Sequence, residues 1–445
     1  LNARWTDIPY YEAAVKDLKS RMWEVKDKDL WVYGATDTDV TQRVLPQLVE
    51  GLEEEGSDWI YKNISIPLVR AAVEMEKRGA LIDIDYFGRL CAYYKKEVEG
   101  KKSEVNKVLG RELDKPTYYL TLQKLLFEEL GLPLTNASTP SSYKGGKVSE
   151  RCKNCKKTAP CSPKHAATGG DELEELSERS PHPILPPLIA LKSVEKMKST
   201  YLDGSDGTGG FKRHIRKDNR IHARWQAGGA ETGRFTCEAP NMMNPPKGIK
   251  IDNDEYDIHT KDAIRSMFVA PEGYSVGNID WAQMEVWVLA YETQDPTLLE
   301  LLNSGKDVHT YTSRKLCSLG LSSAFPASAA APDLSEDEWR EKYDSVRDRS
   351  KTFTFGIMYQ LTEQGAADRL GCSLEESGRL FQAFMGDVFP TLREYFATVR
   401  EKILRDFGVQ NKFGRWRHFP EVPVLLGLGR EYQTHLEGVI RQGIN

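Results

Sequence analysis

The chain has 445 residues, 29% of them charged and 40% hydrophobic, which is ordinary for a globular protein and argues against collagen, coiled coil and disorder. At about 150 residues per domain, this length predicts roughly three domains. The 61 Lys and Arg against 66 Asp and Glu give a net charge of −5, which argues against a protein that simply coats nucleic acid. No stretch approaches the roughly 18 apolar residues of a membrane helix, so we expect a soluble intracellular protein.

The first half of the chain is predicted to be mostly helical. Residues 1–62 are expected to be mixed helix and loop, with a short apolar run and an acidic turn before helical periodicity begins near Val40. Long amphipathic helices are predicted from Asn63 to about Tyr201, including one that ends at Gly79. A segment rich in Ser, Gly, Pro and Lys, at about 141–170, is interpreted as an insertion between these helices.

Strand signals rise between about Gly210 and Asp280. They end in YSVGNID (274–280), which is predicted to be a buried strand that stops at the acidic Asp280. Helices are predicted to follow, one of them opened by a capping box of Ser335 and Glu338. NKFGRWRHFP (411–420) is predicted to be a hairpin with Gly414 at its turn.

Four residues recur every fourth position in the predicted helix after Ser335: Arg347, Lys351, Phe355 and Tyr359. Because four residues turn an α-helix by about 400°, all four lie on one slowly drifting stripe. Cations suit the oxygens of a triphosphate and rings suit a sugar and base, so the stripe matches a nucleoside triphosphate laid along the helix. The alternative is an amphipathic helix whose rings face the core and whose cations are solvated, and the spacing alone leaves both interpretations open.

Two further features also allow two interpretations. Asp280, followed by Gln283 and Glu285, is either a helix cap or a carboxylate that holds Mg²⁺ for phosphoryl transfer. A compact cluster with the spacing C-x2-C-x5-C-x3-H offers four ligands for tetrahedral Zn²⁺, or else it contributes free thiols to a flexible loop. The cluster consists of Cys152, Cys155, Cys161 and His165.

Five motifs in order resemble those of family A DNA polymerases, the group of bacterial DNA polymerase I and many phage replicases. DWAQMEVWVLAYETQDPTLLELLNSGKDVHTYT (280–312) resembles motif A, and RDRSKTFTFGIMYQ (347–360) resembles motif B, the fingers helix. KMKSTY (196–201), TGRFTCEAPNMMNPP (232–246) and FGRWRHFP (413–420) are similar to the thumb, palm and late fingers segments. The sequence is therefore identified as a member of this family.

The resemblance implies an α+β, right-hand polymerase fold of thumb, palm and fingers, preceded by the C-terminal remnant of a 3′-5′ exonuclease domain. The implied divisions are 1–62 for the exonuclease remnant, 63–204 for the thumb with its insertion, 205–300 for the palm, 301–410 for the fingers, and 411–445 for the hairpin and return to the palm. Tyr33 and Asp37 fit the third exonuclease motif, Tyr-x3-Asp.

The resemblance also implies residue roles. Asp280 would bind both catalytic Mg²⁺ ions, and Glu285 would exclude a ribose 2′-hydroxyl. Lys351 would hold the triphosphate and protonate the pyrophosphate leaving group. The other implied nucleotide contacts are Arg347 and His309 at the triphosphate, Phe355 stacked on the nucleotide and Tyr359 at the template base site. The implied contacts to the primer end are Arg234, Asn241 and Asn244.

Some positions depart from the family pattern. Trp287 stands where the family usually has Arg, and Met243 where it often has Gln. Motif C, the His-Asp pair with the second metal carboxylate, would lie beyond Asn445. We therefore expect an interior piece of a longer polymerase, or one half of a split one, whose second carboxylate is not on this chain.

The implied function is template-directed DNA synthesis by two-metal phosphoryl transfer, in replication or repair, in the cytoplasm of a bacterial or phage-infected cell and away from membranes. The implied partners are primer-template DNA, deoxynucleoside triphosphates, and either a second chain carrying motif C or a processivity factor at the thumb insertion. The competing hypothesis is a polymerase-like DNA-binding scaffold or subunit that is catalytically incomplete.

Overall fold

The computed structural model of the chain describes Ile8 and residues 11–135, 166–428 and 432–444. Helices dominate it, and the strands of the described residues form four separate two-stranded sheets. The fold is therefore α+β, as predicted. None of the helices in these ranges combines the length and the apolar character that a bilayer crossing requires.

The described α-helices of five or more residues are numbered here in chain order. They are α1 (Asp27–Glu54), α2 (Ile66–Arg78), α3 (Ile84–Leu109), α4 (Tyr119–Gln123), α5 (Gly170–Arg179), α6 (Leu185–Lys196), α7 (Met284–Thr293), α8 (Pro296–Asn303), α9 (Val308–Leu319), α10 (Glu336–Met358), α11 (Glu363–Leu370), α12 (Leu374–Ala383), α13 (Thr391–Asp406), α14 (Glu421–Gly427) and α15 (Gln433–Ile444). The strands pair as β1 with β2, β3 with β4, β5 with β6 and β7 with β8. They are β1 (Ala80–Leu81), β2 (Arg220–Ile221), β3 (Arg224–Gln226), β4 (Thr236–Glu238), β5 (Ile251–Asn253), β6 (Ile258–Thr260), β7 (Gly408–Gln410) and β8 (Trp416–His418).

The chain divides into two compact units. The first comprises 1–78, 224–237 and 410–417, and the second comprises 79–223, 238–409 and 418–445. In the first unit the predicted apolar run and acidic turn are wrong, because Asp27 to Glu54 form one continuous helix of 28 residues. A short apolar run takes a strand or a helix according to its packing, and periodicity alone does not separate the two.

Within the first unit, hydrogen bonds hold the loop of the 411–420 hairpin. The Ser57 hydroxyl donates to the carbonyl of Gly414 at 3.2 Å, and the Trp416 indole N–H donates to the carbonyl of Glu55 at 3.0 Å. The predicted hairpin is confirmed as β7 and β8, with Gly414 at φ 94°. That left-handed conformation favours glycine.

The second unit begins with the predicted stop of α2, where Gly79 has φ 62°. β1 and β2 pair antiparallel there, with Ala80 opposite Ile221. One apolar cluster of this unit joins α3 to α6, with Leu188 and Leu191 fully buried.

The largest apolar cluster lies in the second unit and holds α10 in place. Trp339 is fully buried and donates its indole N–H to the carbonyl of Ala329 at 2.7 Å. The Phe353 ring packs edge-on against the Phe381 and Phe384 rings at 5.4 and 5.6 Å. The predicted capping box of Ser335 and Glu338 is present at the start of the helix. The apolar cluster and the capping box therefore anchor α10.

The buried strand predicted at 274–280 is wrong. The segment is not a strand, and its apolar side chains lie in solvent, with Ile279 97% exposed and the adjacent Trp281 79% exposed. A strand needs a neighbour for its backbone hydrogen bonds, and no strand of the described residues pairs with this segment. The segment therefore has the apolar pattern of a strand but no partner strand in the described part of the chain.

Candidate active site

A cavity of about 450 Å³ opens beside α10 in the second unit. It is lined by Gln283, Gly305, Asp307, His309, Glu336, Arg340, Arg347, Lys351 and Phe355. Three of the four residues of the predicted stripe thus face one space. Val346, Phe353 and Ile357 form the buried side of α10, and Phe355 is partly buried against the same apolar cluster. The stripe therefore lies at the edge of that side, with Arg347 and Lys351 in the cavity wall.

Arg347 is held in a two-point ion pair. Its Nε and Nη2 atoms donate to the Asp307 carboxylate at 2.7 and 3.1 Å. The same carboxylate caps α9, since it accepts from the Thr310 N–H at 2.9 Å and the Thr310 hydroxyl at 2.7 Å. Burial opposes ionisation of Asp307, but hydrogen bonds from Arg347 and Thr310 outweigh it and lower its pKa to about 2. The pair fixes the guanidinium and neutralises much of its charge.

His309 is 3% exposed and lies on the wall of the cavity. Its ring centroid is 5.2 Å from that of Phe355, and its Nδ1 atom has no hydrogen-bond partner among the described residues. Burial lowers the pKa of His309 to about 4, and Arg347 and Lys351 add to this. The ring is therefore neutral near pH 7, and it can form a hydrogen bond with a group in the cavity but carries no charge there.

Glu285 and Tyr359 meet near the other end of the stripe. Tyr359 ends α10 and donates its hydroxyl to Glu285 Oε1 at 2.5 Å. Together with Phe355 it lines a second cavity of about 290 Å³. The structure thus brings Glu285 close to the aromatic end of the stripe, although Glu285 does not itself line the larger cavity.

Asp280 lies in the exposed segment before α7 and does not line the cavity. Its carboxylate supplies one oxygen ligand of the kind that Mg²⁺ prefers. In the described part of the chain, no group of three or more His, Cys, Asp or Glu side chains is arranged to hold a metal ion. The described residues therefore supply one candidate ligand for Mg²⁺, Asp280, but not a complete Mg²⁺ site.

The predicted primer-end residues lie in loops. Arg234 is exposed in the first unit, while Asn241 and Asn244 are exposed in the second. The carbonyl of Asn244 accepts from the Tyr201 hydroxyl at 2.9 Å, which ties this loop to the KMKSTY segment. In that segment Lys198 is 9% exposed and donates to Asp203 at 2.6 Å. Its charge therefore takes part in a partly buried ion pair within the protein.

Two other sets of predicted site residues are the exonuclease pair and the proposed zinc ligands. Tyr33 and Asp37 both lie on α1, where the Tyr11 hydroxyl donates to Asp37 and a hydrogen bond with Asp37 raises the pKa of Tyr33. The proposed zinc ligands lie outside the described residues. They are Cys152, Cys155, Cys161 and His165.

Sequence reasoning assigned no nucleotide contact to five residues that line the larger cavity: Gln283, Gly305, Asp307, Glu336 and Arg340. Asp307 carried a signal, because Asp directly before a helix is a preferred N-cap residue. Arg340 carried another, because it precedes Arg347 by seven residues, which is two helical turns.

Comparisons with known proteins agree with one another. The family model described as DNA polymerase family A matches residues 85–424. The chain is 26% identical over 393 residues to the thermostable DNA polymerase I of Thermus aquaticus, covering 88% of this chain and 40% of that protein. It is 24% identical over 385 residues to DNA polymerase I of Mycobacterium tuberculosis strain H37Rv, covering 85% of this chain and 36% of that protein. The chain thus spans well under half the length of these curated relatives.

A solved structure has a similar fold. It is the POL domain of Pol1 from M. smegmatis in complex with DNA primer-template and dNTP. The TM-score is 0.70 at 22% sequence identity, and the match covers 98% of this chain and 65% of that chain. The likeness shows that the described residues have the fold of a polymerase domain.

Proposed function

Because the chain belongs to DNA polymerase family A, we propose that it carries out template-directed addition of deoxynucleotides to a primer 3′-hydroxyl. The observation that carries this proposal is the cavity beside α10, which has cationic side chains at one end and Phe355 at the other. Such an order suits a nucleoside triphosphate, whose phosphates require positive charge and whose sugar and base pack on an aromatic ring.

Each cavity residue has a role in this proposal. Lys351, exposed and without an ion-pair partner among the described residues, contacts the triphosphate and gives a proton to the departing pyrophosphate. Arg347, oriented by Asp307, binds a phosphate oxygen with its remaining N–H groups. His309 supplies a hydrogen bond from a neutral ring, and Phe355 stacks against the nucleotide.

Sugar selection is assigned to Glu285. Its carboxylate is held by the Tyr359 hydroxyl at 2.5 Å, so its position is fixed before a nucleotide arrives. A fixed carboxylate at the sugar position occupies the space of a 2′-hydroxyl. Tyr359 itself lies at the template base site in this proposal.

Asp280 is the proposed Mg²⁺ ligand. Mg²⁺ bound there would stabilise the charge on the attacking and leaving oxygens, with two ions and a second carboxylate completing the family mechanism. We place that carboxylate on a segment or second chain outside the described residues. The support is the exposed apolar segment 274–281, since an apolar patch of this kind marks an interaction surface.

Primer-template DNA is the proposed macromolecular partner. The solved relative was determined with DNA primer-template and dNTP, and Arg234, Asn241 and Asn244 are exposed for such a contact. The predicted exonuclease remnant, thumb, palm and fingers boundaries belong to the same proposal, as does a role in replication or repair.

The Cys and His cluster is proposed to bind one Zn²⁺ and to present four lysines to the DNA backbone or a processivity factor. Those lysines are Lys153, Lys156, Lys157 and Lys164. Replacing Cys155 and Cys161 by Ser is expected to remove the zinc and shorten the products of each binding event, with single-nucleotide addition nearly normal. Metal analysis of the wild-type protein and product lengths check this, and a zinc-free wild type would end the proposal.

Primer extension by the full-length protein tests the function directly. With each of the four template bases in turn, we expect addition of the complementary deoxynucleotide only. The competing function is a DNA-binding scaffold, favoured because Asp280 belongs to no group of three or more His, Cys, Asp or Glu side chains that could hold a metal ion in the described residues. Tight primer-template binding without any addition would support the scaffold and overturn the enzyme.

A further inference from the structure

Arg340 lines the same cavity as Arg347 and Lys351, two turns earlier on α10. The helix bends between them, at Tyr343, whose φ of −126° and ψ of 27° are not helical. Arg340 remains on the cavity side of this bend. The three cations therefore follow one another along the helix in the order Arg340, Arg347 and Lys351, with Phe355 at the opposite end from Arg340.

The bent part of α10 is held firmly. Trp339 donates to the carbonyl of Ala329 at 2.7 Å, and the Tyr343 hydroxyl donates to the carbonyl of Ser328 at 3.1 Å. On the cavity side, the Glu336 carboxylate accepts from the backbone N–H of Asp307 at 3.3 Å. The backbone that carries Arg340 is thus fixed relative to the loop that carries Asp307.

Arg340 determines whether the cavity lining has a net positive charge. Among the lining residues are three cations and two carboxylates. The ion pair with Asp307 neutralises Arg347. The remaining charges of the lining are two positive ones, on Lys351 and Arg340, and one negative one, on Glu336. Arg340 has no hydrogen bond or ion pair with the described residues. Without it, the formal charge of the lining would be zero, which is unsuitable for a triphosphate.

We propose that Arg340 binds the terminal phosphate of the incoming nucleoside triphosphate and, after transfer, the pyrophosphate. This inference rests on the proposed function of the cavity. The position follows from order along the helix: the sugar and base lie at Phe355, the inner phosphates lie at Lys351 and Arg347, and the terminal phosphate extends toward Arg340. A guanidinium without a protein partner binds phosphate oxygens in the two-point manner that arginine favours.

Single-nucleotide addition by the full-length protein tests the proposal. Arg340→Ala is expected to raise the KM for the complementary deoxynucleotide and for pyrophosphate in the reverse reaction by roughly tenfold, with kcat within about threefold. Arg340→Lys should recover part of the loss. Lys342→Ala is the matched control, because it removes a charge from the same turn but its ammonium lies over the Tyr343 ring, at 5.3 Å. KM values within about twofold of wild type for Arg340→Ala, or an equal effect of Lys342→Ala, would overturn the inference.

Equilibrium binding of inorganic tripolyphosphate separates this inference from the proposed function, because it requires no catalysis. Arg340→Ala should weaken that binding by roughly tenfold and Lys342→Ala should leave it unchanged. A wild type that binds tripolyphosphate in an Arg340-dependent manner but adds no nucleotide would contradict the polymerase proposal and keep the phosphate contact. Equal affinities of the wild type and Arg340→Ala would contradict the contact itself.

Discussion

The cavity beside α10 and the segment that carries Asp280 differ in what the described residues supply around them. The cavity is built on a helix anchored by the buried Trp339 and Phe353, with a capped end and an ion pair on its wall. The segment before α7 is exposed, and its Ile279 and Trp281 side chains lie in solvent. In the described residues, the proposed nucleotide contacts are preorganised while the proposed metal ligand is not.

In the proposed reaction, the nucleotide contacts and the metal ligand therefore depend on different structural sources. A helix satisfies its own backbone hydrogen bonds, so α10 needs only an apolar cluster to hold it. A strand needs a neighbour, so the segment of Asp280 depends on whatever pairs with it. We therefore expect substitution of Asp280 to alter chemistry alone, and substitutions in the cavity to alter nucleotide binding or stability and, at Lys351, proton transfer as well.

The largest effect is expected from Asp280→Ala. Nucleotide addition by the full-length protein should fall by about a thousandfold or more, because the proposed metal ligand is lost, while primer-template affinity stays within about threefold. Single-turnover kinetics and DNA-binding titrations measure the two quantities. Glu272→Ala, which removes another exposed carboxylate nearby, serves as the control. Full-rate addition by Asp280→Ala would remove Asp280 from the chemistry.

Asp307→Ala is expected to lower the free energy of unfolding by about 3 kcal/mol, because it leaves Arg347 unpaired and removes the cap of α9. Urea denaturation measures this change. The control is Glu375→Ala, which breaks the exposed ion pair with Arg379 in the same unit and should cost less than about 1 kcal/mol. Similar losses in both variants would show that the ion pair does not stabilise the cavity.

His309 predicts a specific pH dependence of stability. Its pKa in the folded protein is about 4, below the ordinary value of 6.5, so the unfolded chain takes up a proton that the folded chain does not. Stability should therefore fall as the pH falls from 6.5 toward 4, by about 2 kcal/mol between pH 7 and pH 5. His309→Gln should lack this part of the loss, measured by urea denaturation at both pH values. Identical pH slopes would show that His309 is not buried in its neutral form.

Glu285→Ala has the smallest expected effect, a loss of about tenfold in discrimination against ribonucleotides, because it removes the carboxylate that we propose occupies the 2′-hydroxyl space. Incorporation kinetics with matched ribo and deoxy substrates measure it. Tyr359→Phe removes only the hydrogen bond that holds Glu285 and should cause a smaller change. An unchanged preference in Glu285→Ala would assign sugar selection to other residues.

Local features of the fold followed from the sequence. The capping box at Ser335, the end of α2 at Gly79 and the hairpin turn at Gly414 each depend on a few neighbouring residues. The stripe on α10 followed from helical periodicity alone, and three of its four residues, Arg347, Lys351 and Phe355, line the cavity.

Features that depend on distant residues did not follow. Asp307 and Arg347 are 40 positions apart, so no local pattern reveals their ion pair. The segment 274–280 has the pattern of a buried strand, but a pattern does not supply a neighbouring strand. The continuous α1 was missed because its apolar run near Trp31 resembles a strand as much as a helix.

Lys351 provides the most direct test of the central claim, that the cavity beside α10 positions a nucleoside triphosphate for addition to a primer. Single-turnover addition of a complementary deoxynucleotide by the full-length protein is compared for wild type, Lys351→Ala and Lys342→Ala. We predict a rate lower by about a hundredfold or more for Lys351→Ala, since the proposed proton donor and phosphate contact are lost, and a wild-type rate for Lys342→Ala. A Lys351→Ala protein that adds nucleotides at the wild-type rate would contradict the claim.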